Sequence, residues 1–150
     1  MKIALGADHR GFVAKTHIRD LLREMGEEVV DFGTESNKPA DYPDPGYAAA
    51  SAVQKGECDV GVLFCGSGIG MSITANKLHG VRAALCHDEL TAEMSRRHNN
   101  ANVLCLPADL VGDSLMRRIV EVWLKTPFEG GRHKRRIDKI SEIENKQCEP

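Results

Sequence analysis

Five short apolar runs, each followed by a stretch with helical character, leave few folds open to this 150-residue chain. Lys2–Ala7 reads as the first strand and ends in a polar turn at Asp8. Glu28–Phe32, Asp59–Cys65, Val81–Cys86 and Asn102–Leu106 read as the others. Val60, Val62, Leu63 and Phe64 leave the third run without a polar face, so both its sides should be covered. Between the runs, Ile18, Leu21, Leu22 and Met25 recur on one side of a helix that Gly26 stops. Tyr47–Lys55, Met71–Leu78 and Glu89–Arg97 read as further helices, and Leu115, Ile119, Val122 and Trp123 line another. Gly33 to Pro45, with three prolines, is expected as a long surface loop. Residues 131–146 read as a C-terminal basic helix with Ile137, Ile140 and Ile143 on one side. Strand–helix alternation of this kind predicts an α/β fold: a single-domain, three-layer α/β/α sandwich around a five-stranded parallel, Rossmann-like sheet. Residues 1–150 are expected to form that one domain.

Composition excludes several classes of function. Twenty Lys and Arg against 22 Asp and Glu leave a net charge of −2, and only 5% of residues are aromatic, which argues against a nucleic-acid binder. No apolar stretch approaches a membrane span, and the first residues lack a signal-peptide core. The five cysteines include no Cys-x-x-Cys pair, so neither a disulfide framework nor a zinc ribbon is supported. A cytoplasmic setting is expected.

Ligands of parallel α/β sheets bind at the carboxyl ends of the strands, and the chemistry-bearing residues of this chain fall there. Cys65-Gly66-Ser67-Gly68-Ile69-Gly70 has glycine at every second position, which lets the backbone turn several N–H groups toward one point and hold an anion. It is not a dinucleotide fingerprint, because Met71 stands where the third glycine of that motif would fall. Cys65 heads the loop, where an amide-rich field favours a thiolate that could serve as nucleophile or general base. Cys58, Cys86, Cys105 and Cys148 read as inert. Asp8-His9 closes the first strand, and Arg97-His98-Asn99-Asn100 closes a helix before the fifth. No paired metal-ligand spacing accompanies these histidines. In Gly-Gly-Arg132-His133-Lys134-Arg135-Arg136, the arginines at 132 and 136 share a helix face and could grip one phosphate.

With these residues in place, the chain from Met1 to about Glu144 resembles the type B ribose-5-phosphate isomerase family, which includes galactose-6-phosphate and allose-6-phosphate isomerases. The resemblance rests on Ile-Ala-Leu-Gly-Ala-Asp-His, Asp41-Tyr42-Pro43, the glycine loop with its following Met-Ser-Ile-Thr-Ala-Asn-Lys, Gly-Val-Arg-Ala-Ala-Leu, Ser-Arg-Arg-His-Asn-Asn-Ala-Asn-Val-Leu and Gly-Gly-Arg-His-x-x-Arg. It implies an aldose–ketose isomerase that needs neither metal nor organic cofactor. It implies Cys65 as the base between C1 and C2, Ser67 as the hydroxyl-proton shuttle, and His98 with Asp8 as the ring-opening pair. The amides of Gly66, Gly68, Ile69 and Gly70 would hold the enediolate, His9, Arg132 and Arg136 the phosphate, and Tyr42 and Asn99 the sugar. It further implies a homodimer, and possible tetramer, whose subunits share each active site, with His98 and Asn99 supplied by the partner.

Three positions depart from the family pattern. Ser67 replaces threonine and keeps the hydroxyl. Met71 stands where one branch, which lacks the cysteine, carries a glutamate base. Asp109 reverses the charge of an arginine that in many members contributes to phosphate binding from the partner subunit. Ribose 5-phosphate is the expected substrate. The alternatives are allose 6-phosphate, galactose 6-phosphate or a tetrose phosphate, or a non-catalytic binding subunit of a heteromeric isomerase.

Overall fold

The computed structural model describes residues 1–147, so Cys148 lies outside the described residues. Among the described residues, five strands and six helices follow one another. They are β1 (Lys2–Ala7), α1 (Phe12–Glu24), β2 (Glu28–Asp31), α2 (Pro43–Gln54), β3 (Val60–Cys65) and α3 (Ile69–Ala75). The second half adds β4 (Ala83–Leu85), α4 (Glu89–Arg97), β5 (Val103–Pro107), α5 (Asp113–Lys125) and α6 (Arg132–Gln147). All strand pairs are parallel, in the order β2-β1-β3-β5-β4. The expected sandwich is present. Ile3, Leu5, Val62, Phe64, Leu104 and Leu106 pack against Ile18 and Leu22 of α1 and Met116, Ile119 and Trp123 of α5. On the other face Ala4, Leu63 and Cys105 pack against Ala49, Ala50 and Val53 of α2 and Met71 and Ala75 of α3. Both central strands β3 and β5 are buried along their whole length, as the unbroken apolar run at 60–65 predicts.

The chain leaves β1 for the edge at β2 and then returns across it to β3. A crevice therefore opens at the carboxyl ends of β1 and β3, where successive helices go to opposite faces. Asp8 and the Cys65–Gly70 loop sit at those two ends.

Element boundaries differ from expectation where side chains do the work of the backbone. The loop after β2 ends sooner than Pro45, because Pro43 takes the first position of α2, which its fixed φ favours. β4 is shorter than Val81–Cys86. Arg82 N–H donates to Asn102 Oδ1 (2.8 Å) and Ala83 N–H to Asn76 Oδ1 (2.9 Å), replacing ladder bonds at the strand's start. α3 starts at Ile69 and stops at Ala75, where turns through Asn76 and Leu78 take over. Of the isoleucine stripe on α6, Ile137 is buried but Ile140 and Ile143 remain exposed.

One buried charge organises the wall of the crevice. Lys15 on α1 is 1% exposed, and its Nζ donates to Asp31 Oδ1 (2.5 Å) and Thr34 O (2.8 Å). The ammonium thus ties the end of β2 and the loop beyond it to α1. Removing one partner of a buried pair strands the other charge, so Asp31→Ala should cost about 3 kcal/mol of unfolding free energy in urea titrations. A loss under about 1 kcal/mol would mean that Thr34 and water suffice.

Candidate active site

A cleft of about 350 Å³ opens over the carboxyl ends of β1 and β3. Six of the residues singled out from the sequence line it: Asp8, Tyr42, Cys65, Gly66, Ser67 and Gly70. Each is placed by a local rule. Asp8 is buried, and its Oδ1 accepts the N–H groups of Arg10 (2.9 Å) and Gly11 (3.0 Å), a side-chain turn that ends β1. Tyr42 lies at the cap of α2 with its ring over Gly70, where a Cβ would stand 2.6 Å from ring carbons. Only glycine allows that approach.

Cys65 ends β3 facing the same space. The Gly68 N–H donates to its Sγ at 3.2 Å, made possible by a left-handed Gly68 (φ 74°). A Cβ at Gly68 would also stand 2.4 Å from Leu85 Cδ1. The helix behind the loop has only seven residues, Ile69–Ala75. Ser67 Oγ accepts the Ile69 N–H (3.3 Å), which leaves its own proton free to donate. His9 turns aside: its Nδ1 lies 3.2 Å from both the amide nitrogen and the carbonyl oxygen of Ala40, leaving Nε2 for another partner.

The remaining candidates form a second group elsewhere. α4 begins at the carboxyl end of β4 and runs back, so His98 and Asn99 emerge beside the amino end of β5. Five residues of β5 at about 3.3 Å each separate the two rims by roughly 16 Å. Arg82 fixes this corner, donating through Nε to Asn99 O (3.1 Å) and Asn100 O (3.0 Å), with Asn100 in a left-handed conformation (φ 45°). The His98 ring stacks on His133 of α6, centroids 4.1 Å apart, which sets Arg132 and Arg136 on the helix that packs against this corner. Burial, and then the nearby positive charges of His98 and Arg132, push the His133 imidazole below its ordinary range. His98, Glu129 and His133 offer ligand atoms within 4.8 Å of one another, the donor types of a metal site. Arg97, however, already holds Glu129 Oε1 at 2.7 Å through Nε, and the neighbouring arginines give a field that suits an anion better than a cation.

Sequence reasoning passed over Arg10, Arg82, Glu129 and His133 as site residues. Arg10 Nε donates to Asp109 Oδ2 at 2.5 Å across Gly66, and both residues line the cleft of Cys65. Asp109 lines the cleft of its own chain, where its N–H is bonded to Gly66 O (3.0 Å). The contact partners are 99 residues apart in the chain, and no local pattern announces them.

A β1–β3 crevice lined by a cysteine, an acid, a hydroxyl and a glycine loop marks an α/β protein with a small-molecule site at its strand ends. Residues 3–140 match the ribose/galactose isomerase family, and the chain belongs to it. It is 46% identical over 146 residues to ribose-5-phosphate isomerase B of Escherichia coli, covering 97% of this chain and 98% of that one. It is 39% identical over 148 residues to D-erythrulose-4-phosphate isomerase of Pectobacterium atrosepticum, covering 98% and 97%. Ribose-5-phosphate isomerase B of Clostridium thermocellum superposes with a TM-score of 0.98 at 51% identity, covering 99% and 100%. The Mycoplasma genitalium enzyme with bound ribulose 5-phosphate does so with a TM-score of 0.93 at 44% identity, covering 96% of each chain. Among the described residues no helix is long and apolar enough to cross a membrane.

The thiols should differ in reactivity. Burial pushes Cys86 up and Cys105 well above the ordinary thiol range, whereas Cys65 lines the cleft with an amide on its sulfur. In native-state alkylation followed by peptide mass spectrometry, Cys65 should be modified before Cys86, and Cys105 last of the three. Modification of Cys105 ahead of Cys65 would contradict the assigned environment.

Proposed function

We propose that this chain interconverts ribose 5-phosphate and ribulose 5-phosphate, with residues 1–150 as one sugar-phosphate isomerase domain. The observation that carries the reading is Cys65 Sγ, held by the Gly68 amide at 3.2 Å and sharing a cleft with Asp8, Ser67 and Tyr42. The reaction moves one hydrogen between adjacent carbons. Cys65, as thiolate, takes the C2 proton of the open-chain aldose. The released electron pair forms a C1=C2 double bond, and the C1 carbonyl oxygen becomes the enediolate oxyanion. The loop amides of Gly66 to Gly70 receive that charge, where one preorganised donor can be worth about 3–4 kcal/mol. Ser67 passes the O2 proton to O1, and Cys65 returns its proton to C1. Charge and atoms balance, and every proton stays with groups in the cleft. A positioned base contributes about 10²–10⁴ in rate.

The ring-opening pair, Asp8 and His98, sits on opposite rims of one chain. We therefore place the complete site between two copies, with His98, Asn99, Arg132 and Arg136 of one facing Asp8, Cys65 and Ser67 of the other. Exposed apolar side chains beside the cleft, Tyr47, Ile69 and Ile73, support a second copy seated there, since lone chains seldom leave such surface uncovered. His9 Nε2 is one phosphate contact from the chain that carries Cys65. The relative acting on D-erythrulose 4-phosphate keeps a tetrose substrate in view as the second reading.

The purified chain should turn over ribose 5-phosphate faster than allose 6-phosphate, galactose 6-phosphate or D-erythrulose 4-phosphate. Cys65→Ala should abolish turnover while substrate still binds. His98→Asn should slow ribose 5-phosphate, which is mostly a closed furanose, far more than ribulose 5-phosphate, which has no furanose to open. Equal losses in both directions, after allowing for the equilibrium constant, would make His98 a structural residue. Near-normal turnover in Cys65→Ala would remove the thiolate from the mechanism.

A further inference from the structure

The cleft around Cys65 has an electrostatic difficulty. Asp8 and Asp109 both line it, and among the described residues lining it Arg10 is the one cation. A phosphate monoester brings a charge of about −1.5 to −2 at neutral pH, so the sugar phosphate must enter past two carboxylates. Asp8 is occupied with backbone N–H groups of Arg10 and Gly11. Asp109 is occupied with Arg10 Nε at 2.5 Å.

This pair lies directly on the loop that would hold the enediolate. A Cβ at Gly66 would stand 2.6 Å from Asp109 Oδ2 and 3.0 Å from Arg10 Nε, so a side chain there would displace the pair. Both partners have fixed backbones. Arg10 N–H is held by Asp8, while Ala108 and Asp109 donate to Cys65 O (2.9 Å) and Gly66 O (3.0 Å). Asp109 therefore aims the guanidinium without using its outer edge. Nε is taken, and the two Nη groups remain as a planar fork of donors on a side chain that is 59% exposed. A fork of that shape matches phosphate oxygens two at a time.

We propose that Arg10, positioned by Asp109, is a substrate-binding residue that takes the phosphate end of the sugar phosphate from the same chain as Cys65. This rests on the isomerase reading above. Asp109 is a positioning residue: it touches Arg10, and its own carboxylate is neutralised by doing so. The cation that the 107–109 loop lacks comes from the turn after β1.

The test compares Arg10→Ala, Arg10→Lys, Asp109→Ala and the Arg10→Ala/Asp109→Ala pair on ribose 5-phosphate, with inorganic phosphate as competitive inhibitor. Arg10→Ala should raise both KM and the phosphate inhibition constant at least about tenfold while kcat changes less than about twofold, the pattern of lost uniform binding. Arg10→Lys keeps the charge but not the fork, and should recover only part of the loss. Asp109→Ala should raise the same two constants by a smaller factor, and should add nothing in the Arg10→Ala background. Unchanged KM and phosphate inhibition in Arg10→Ala would overturn the proposal. So would a fall in kcat at constant phosphate affinity, which would place the guanidinium at the reacting carbons, or full additivity of the two substitutions. If the wild-type chain fails to turn over ribose 5-phosphate, the isomerase reading fails for that substrate. Calorimetric titration of inorganic phosphate into wild-type and Arg10→Ala protein then still decides on Arg10: weaker binding in the variant supports it, and equal binding overturns it.

Discussion

A parallel strand must be followed by a return across the sheet, and this constraint governs the molecule. Each β-strand delivers its last residue to one rim, and each following helix carries the chain back to the other. Asp8 and Cys65 end strands, so they meet; His98 ends a helix, so it lies on the opposite rim of its own subunit. No rotamer change spans roughly 16 Å of sheet. On the reading proposed above, the thiolate base and the ring-opening imidazole would come from two chains.

The two rims are also built for different tasks. The cleft rim is made of glycines whose backbone comes close to other atoms: Gly66 under the Arg10–Asp109 pair, Gly68 against Leu85, and Gly70 under Tyr42. In the same loop the Gly68 amide donates to Cys65 Sγ. The other rim is a cluster of cationic and ring side chains, His98, His133, Arg132 and Arg136, with Arg82 fastening the backbone. On the proposed mechanism, one rim would receive the developing negative charge and the other would offer positive charge and a proton donor.

Much of this was legible in the chain itself. The unbroken run Val60–Cys65 announced a strand covered on both sides, and the alternate glycines after it announced an anion loop. Local sequence could not announce which residues meet. The Arg10–Asp109 pair joins the turn after β1 to the turn after β5, a juxtaposition that exists only because β3 lies beside both strands. For the same reason Asp109 read as a lost cation, whereas in the fold it steers one. Element starts shifted where proline's fixed φ began a helix, at Pro43, and where asparagine side chains replaced ladder partners, before Ala83. The stripe on α6 read as isoleucines on one side of a basic helix; its own chain buries Ile137 and leaves Ile140 and Ile143 uncovered.

The central claim, that one working site needs the cleft of one copy and the His98 corner of another, is tested most directly by mixing two disabled chains. Cys65→Ala and His98→Asn, co-expressed in equal amounts and purified together, pair at random into two-fold dimers. About one quarter of all sites should then combine an intact Cys65 with an intact His98. Activity on ribose 5-phosphate should rise to about that fraction of wild type, well above the sum of the two variants alone. A mixture no more active than that sum would contradict the shared site and return the whole reaction to a single chain.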